Sequence, residues 1–126
     1  MATDSLVMEL KDSGTALLKK LRQSGFNVTA AAWVKVSVED RWVLYIATNL
    51  VDSRGQTAAY RDLYAALAGH ADFWSTIEGI RLISTSDPIA VSILALRQKT
   101  PANIPINFGG RTLGGKTIDA AYIYPA

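Results

Sequence analysis

Cysteine is absent from the sequence, and histidine occurs once, at position 70. The lack of cysteine excludes disulfide bonds, thiolate nucleophiles and metal sites with sulfur ligands. One histidine cannot build a multi-histidine metal site, and the neighbouring Asp72 is not at the helical spacing of a ligand pair. We therefore predict no metal and no cofactor. We expect His70 to cap a helix or to lie on the surface, where it could contact a ligand.

Long apolar runs are also absent. No segment approaches the roughly 20 apolar residues that a membrane-spanning helix needs. The amino-terminal residues include Asp4, Glu9 and Asp12 and contain no apolar stretch of signal-peptide length. We therefore expect a cytoplasmic protein that does not enter a membrane.

The chain has 126 residues, of which 49% are apolar and 19% are charged. This length is typical of one domain, and this composition is typical of a folded chain and not of a disordered one. No repeat, low-complexity tract or linker divides the sequence. We predict a single small soluble domain over residues 1–126.

The net charge is only +2, but its distribution is uneven. Residues 97–126 contain four basic residues and one acidic residue. Such a segment can form an anion-binding or nucleic-acid-binding face. It is also ordinary for a solvent-exposed surface, which is the interpretation that we favour.

The amino-terminal segment predicts a helix. Asp4 or Ser5 can act as its N-cap, and the leucines that follow have a loosely helical period. Gly14 interrupts this pattern, because glycine destabilises a helix interior. The alternative is an N-cap just before Gly14, which would leave residues 1–11 as a separate arm or short strand.

Two strands are predicted after this helix. Residues 28–38 alternate with a period of two, and residues 42–47 form a second predicted strand. The polar residues 39–41 between them have the length of a hairpin turn. We therefore predict an antiparallel hairpin at 28–47.

Capping signals predict two more helices. Ser53 and Gln56 have the spacing of a capping box, which opens a helix that ends near Ala68. Asp87 and Pro88 are typical of an N-cap and a first helical residue. The remaining predicted elements are short strands at 80–84, 105–108 and 120–124. The order α-β-β-α-β-α-β-β predicts an α+β fold with a mixed sheet and helices packed on it.

The sharpest motif lies near the carboxyl terminus. Residues 110–117 satisfy the pattern G-x-x-x-x-G-K-T, in which glycine amides, lysine and threonine hold a phosphate and its magnesium ion. The pattern requires a long helix after it, but only nine residues follow and they favour β structure. We therefore favour a hairpin connection at 109–117, with a simple anion site as the weaker alternative. Its residues would be Gly110, Arg111, Gly114, Gly115, Lys116 and Thr117.

Two further groups of residues could contact a ligand. Trp33 and Lys35 share one face of the first strand, and an aromatic ring beside a cation resembles a base-stacking surface. Core packing is the interpretation that we favour for them, because helices must cover a sheet face. Arg54, Tyr60 and Arg61 surround the second helix and could hold an acidic ligand.

These residues do not identify a function. No catalytic arrangement is recognisable, so we expect a non-catalytic binding or interaction domain and not an enzyme. The first alternative is a small phosphate- or nucleotide-handling hydrolase that uses the glycine-rich segment 109–117. The second is a nucleic-acid-binding module that uses the basic carboxyl-terminal segment.

We also predict self-association, most simply as a two-fold dimer. The predicted helix at 88–98 is apolar almost all round, so a single contact with the sheet leaves part of it uncovered. The second helix and the nearby Phe73 and Trp74 could cover the remainder. If they do not, Val91, Leu94 and Ala95 form an apolar patch that a second copy would bury. The expected partners are therefore a second copy, another protein or an anionic molecule.

Overall fold

The structure is a computed structural model that describes residues 8–39, 41–68, 79–101 and 103–125, except the side chains of 8, 9 and 108–111. Its elements in chain order are α1 Met8–Gln23, β1 Ala30–Val36, β2 Arg41–Ala47, α2 Asn49–Ala66, β3 Ile80–Ile83, α3 Pro88–Gln98, β4 Ile106–Leu113 and β5 Lys116–Ile123. The predicted order of helices and strands is therefore confirmed, and so is the α+β fold class.

The described strands form one five-stranded mixed sheet in the order β3-β2-β1-β5-β4. The hairpin predicted at 28–47 is confirmed, because β1 and β2 pair antiparallel from Ala30 opposite Ala47 to Val36 opposite Arg41. The first strand ends earlier than predicted, and Val38 is 92% exposed in the turn. β3 lies parallel to β2 because α2 carries the chain back before β3 begins.

Both faces of the sheet are covered. One buried cluster joins α1 and α2 to the face of β1 that carries Ala31 and Trp33. The other joins α3 to the opposite face, which carries Ala32 and Val34. Every residue of β1 is therefore buried, including those at the positions that sequence alternation assigns to an outer face.

Gly14 does not interrupt α1. The helix runs from Met8 to Gln23, so the alternative in which residues 1–11 form a separate arm or strand is wrong for the residues from Met8 onward. The reason is close packing. A side chain at Gly14 would overlap the Tyr124 hydroxyl, and its Cβ would lie 2.9 Å from Trp33 Nε1. Glycine is present here because the helix passes so near the sheet.

α2 begins earlier than the capping box at Ser53 predicts. Thr48 is its N-cap, and the Thr48 hydroxyl accepts a hydrogen bond from Leu50 N. Ser53 lies inside the first turns and donates to Asn49 O. The helix is kinked at Gly55, where φ is +84°, a conformation that glycine adopts without strain. The Ser53 cap was therefore wrong, although a new helical segment does follow Gly55.

α3 confirms the prediction for residues 88–98. Asp87 Oδ1 accepts from Ile89 N at 2.9 Å, and Pro88 occupies the first turn. Ile89 and Ile93 are buried against the sheet, whereas Val91 is 54% exposed. α2 lies on the opposite sheet face and does not cover Val91, and the predicted Phe73–Trp74 cover lies outside the described residues. Among the helices of the described ranges, none is long and apolar enough to cross a membrane.

Candidate functional site: a tyrosine-lined cleft

The glycine-rich segment is a β hairpin. β4 and β5 extend into the predicted loop and leave only Gly114 and Gly115 between them. Their φ values of +57° and +82° are those of a tight two-residue hairpin turn. Gly114 N donates to Ser92 Oγ at 3.2 Å, and this hydrogen bond joins the turn to α3. The prediction of a hairpin connection is confirmed, and a nucleotide-binding loop followed by a helix is excluded.

Simple anion binding at this hairpin stays a prediction. Lys116 and Thr117 are exposed at the start of β5. Gly110 and Arg111 belong to β4, but the side chain of Arg111 lies outside the described part of the structure. Because Gly114 N already donates to Ser92, the turn offers fewer free amides than a phosphate-binding loop needs.

Trp33 and Lys35 on the first strand do not lie on the protein surface. Trp33 is 2% exposed and Lys35 is 8% exposed, because α1 and the sheet enclose this face of β1. Core packing is therefore confirmed for Trp33, and its role as a base-stacking surface is wrong. Trp33 nonetheless contributes to the site described below through its indole N–H.

Two of the three residues predicted around α2 have structural partners. Arg54 forms an ion pair with Asp62 at 2.5 Å. The Tyr60 hydroxyl accepts from Leu82 N at 3.0 Å, so it covers the backbone of the edge strand β3. Arg61 is exposed on the same helix. The predicted contact at His70 lies outside the described residues.

A cleft between α1 and the carboxyl-terminal end of β5 is the candidate site. Its volume is about 330 Å³, at the lower end of the range for small-molecule pockets. One wall is the face of α1, and the opposite wall is formed by the end of β5 and the segment before β4. The lining residues are Thr15, Leu18, Arg22, Pro105, Tyr122, Tyr124 and Pro125.

A buried hydrogen-bond chain fixes the back of this cleft. Trp33 Nε1 donates to the Tyr124 hydroxyl at 2.9 Å, and that hydroxyl donates to Lys11 O at 2.8 Å. Burial raises the pKa of Tyr124 to about 12, and nearby negative groups such as Asp12 act in the same direction. The phenol is therefore neutral at physiological pH, and its proton is held by the helix backbone.

Tyr122 forms a second aromatic wall. Its ring meets that of Tyr124 edge to face, with centroids 5.2 Å apart and planes at 87°. Lys11 Nζ lies 4.8 Å from the centroid of the Tyr122 ring, within cation–π range. Because Tyr122 is half-buried, part of its ring remains available to a ligand.

The charges at the cleft are positive. Arg22 lines it from the last turn of α1, and no aspartate or glutamate belongs to the lining within the described residues. The Thr15 hydroxyl donates to Lys11 O and is held within the helix. The lining offers apolar walls and a cation, an arrangement that can bind a molecule but presents no nucleophile paired with a base.

A larger hollow of about 410 Å³ is a weaker candidate. It lies between the α1–β1 turn and α2, and its lining includes Gly25, Phe26, Leu50 and Ala66. Its carboxylate, Asp62, is already paired with Arg54. It therefore lacks the tyrosine pair and the uncompensated charge of the tyrosine-lined cleft.

Two polar clusters elsewhere join elements of the fold. Asp52 of α2 accepts hydrogen bonds from the Ser84 and Thr85 hydroxyls after β3, and these bonds lower the pKa of Asp52. On β3, the Arg81 guanidinium donates to both carboxylate oxygens of Glu39. Among the described residues, no group of three histidine, cysteine, aspartate or glutamate side chains could hold a metal ion.

The sequence did not predict the residues that line the cleft. One signal was present on α1, where Lys11, Thr15, Leu18 and Arg22 have the spacing of a single helix face. Nothing in the sequence indicates that this face meets the last strand. Comparison of the chain with protein families, curated proteins and solved structures finds no significant match.

Proposed function

We propose that this chain is a non-catalytic binding domain and that the tyrosine-lined cleft is its ligand site. The observation that carries the proposal is the hydrogen-bond chain from Trp33 through Tyr124 to Lys11 O. These hydrogen bonds fix the cleft walls before any ligand arrives. Binding therefore loses little side-chain conformational entropy.

The chemistry of the lining supports binding over catalysis. The lining residues that the structure describes include no carboxylate, histidine or serine. Tyr124, with a pKa of about 12, is a poor proton donor and a poor nucleophile near neutral pH. The guanidinium of Arg22 can orient an anion without reacting with it.

The experiment is an NMR titration of ¹⁵N-labelled protein with a library of small aromatic fragments. We expect saturable shifts of the Trp33 indole N–H signal together with the backbone signals of Leu18 and Tyr122. The Trp33 signal is a suitable reporter because its N–H donates to the wall residue Tyr124. Saturable shifts centred elsewhere, or no saturable shift with any fragment, would contradict the proposal.

Self-association is a second candidate function, favoured by the exposed side of α3. Val91 is 54% exposed, and the exposed Ala95 lies one turn further along the same face. An apolar stripe of this kind gains from burial, and a two-fold contact between identical helices is the simplest cover.

Light scattering at micromolar concentrations tests this second candidate. We expect a mass near twice the 13.6 kDa of one chain. Val91→Glu should return the mass to that of one chain. Val38→Glu is the matched control, since Val38 is an exposed valine in the β1–β2 turn and its replacement should leave the dimer intact. A mass near 13.6 kDa that does not change on concentration would rule out the dimer.

A further inference from the structure

We infer that the tyrosine-lined cleft takes a small planar aromatic carboxylate, with its ring against Tyr122 and its carboxylate on Arg22. This inference rests on the proposed function and names the chemical class of the ligand. It combines three features: flat apolar walls, a cation with no described partner, and the absence of acidic side chains from the described lining.

The walls favour a flat apolar body. Tyr122 presents a ring, and Pro105, Pro125 and Leu18 add rigid or branched apolar surface around it. Rings stack on rings and on proline with little loss of side-chain entropy, since these wall residues have few rotatable bonds. A volume of about 330 Å³ suits one small molecule and not a polymer segment.

The position of the charge favours Arg22 as the anion contact. Lys11 and Arg22 are eleven residues apart on α1, which separates them by roughly 16 Å at 1.5 Å per residue. Of the two cations, only Arg22 belongs to the described lining of the cleft. The Lys11 ammonium already lies over the Tyr122 ring, whereas within the described ranges the Arg22 guanidinium forms no hydrogen bond or ion pair. The planar guanidinium also matches a carboxylate through two parallel hydrogen bonds.

The end of the helix favours a singly charged anion. Arg22 lies in the last turn of α1, where backbone carbonyls repel negative charge. The turn reduces this repulsion, because Ser24 N donates to Lys20 O and Gly25 N donates to Arg22 O. The remaining repulsion from the carbonyls acts more strongly on a doubly charged phosphate than on a singly charged carboxylate.

The test uses benzoate, benzamide and phenyl phosphate as matched probes in the same NMR titration. Benzoate and benzamide share the ring and differ in charge, so their comparison isolates the anion contact. We expect benzoate to bind about tenfold or more tightly than benzamide, the ratio typical of one charge-assisted hydrogen-bonded contact. Phenyl phosphate should bind more weakly than benzoate.

Variants then assign the preference to Arg22. Arg22→Gln should weaken benzoate binding about tenfold and leave benzamide binding unchanged, while Arg22→Lys should retain part of the preference. Arg61→Gln is the matched control, because Arg61 is an exposed helical arginine on α2. Unfolding curves of each variant check that the fold is intact, as expected for an exposed side chain.

The outcomes separate this inference from the proposed function. If benzoate and benzamide bind equally and Arg22→Gln affects neither, the inference that the ligand is a carboxylate is wrong. The cleft would still be a binding site. If phenyl phosphate binds more tightly than benzoate, the inference of a carboxylate ligand is wrong and a phosphate ligand is favoured. If neither these probes nor the wider fragment library shifts the cleft signals, the proposed function fails as well.

Discussion

Replacement of Gly14 by alanine is the most informative perturbation of this fold. In an ordinary helix interior the change would stabilise the protein by about 1 kcal/mol, because glycine has the greater backbone freedom in the unfolded chain. Here the new methyl group would overlap the Tyr124 hydroxyl and stand 2.8 Å from Tyr124 Cζ and 2.9 Å from Trp33 Nε1. Helix propensity and packing therefore predict opposite signs for the change in the free energy of unfolding.

The expected magnitude comes from two costs. Overpacking of a well-packed core costs about 1–3 kcal/mol. If the Tyr124 hydroxyl moves away, the Trp33 indole N–H loses its acceptor while buried, which costs about 1–3 kcal/mol more. After the gain in helix propensity, we expect Gly14→Ala to lower the free energy of unfolding by about 1–5 kcal/mol.

Urea denaturation followed by tryptophan fluorescence measures this change. The double variant with Tyr124→Phe is the internal control, because it removes the overlapping hydroxyl oxygen. The cost of Gly14→Ala should be smaller in that background, a departure from additivity that is typical of residues in contact. An alanine variant as stable as the parent, or more stable, would refute the close approach of α1 to the sheet.

Two further predictions concern buried and ionic hydrogen bonds. Tyr124→Phe alone should lower the free energy of unfolding by about 1–3 kcal/mol in urea, because Trp33 Nε1 is left without an acceptor; an unchanged midpoint would contradict the hydrogen-bond chain. The Arg81 guanidinium lowers the pKa of Glu39 below its ordinary value of 4.5, so the unfolded state binds more protons. The stability from this pair should be present above pH 4.5 and lost as the pH falls through the lowered pKa. As the pH is lowered, the free energy of unfolding should therefore fall less steeply for Glu39→Gln than for the parent. The same pH dependence in both proteins would argue against the ion pair.

The sequence by itself determined the order of elements, because their signals are local. Asp87 and Pro88 predict the start of α3, since a cap and a fixed φ act within one helical turn. Alternation over residues 28–38 and the polar residues 39–41 predict the β1–β2 hairpin, also from local signals. The adjacent glycines at 114 and 115 favoured a hairpin over a phosphate loop, because the residues after them have strand composition and are too few for a long helix.

Only the tertiary structure decided where Gly14, Thr48 and the cleft residues act. Gly14 interrupts the helical pattern in the sequence, yet it is where α1 meets the sheet most closely. The bond from Trp33 to Tyr124 spans 91 residues of chain, and the bond from Tyr124 to Lys11 spans 113. Periodicity and capping act over a few residues, so they cannot show which helix face will meet the last strand. The cleft exists because the sheet order places β5 beside β1, beneath α1, and that order is set by long-range packing.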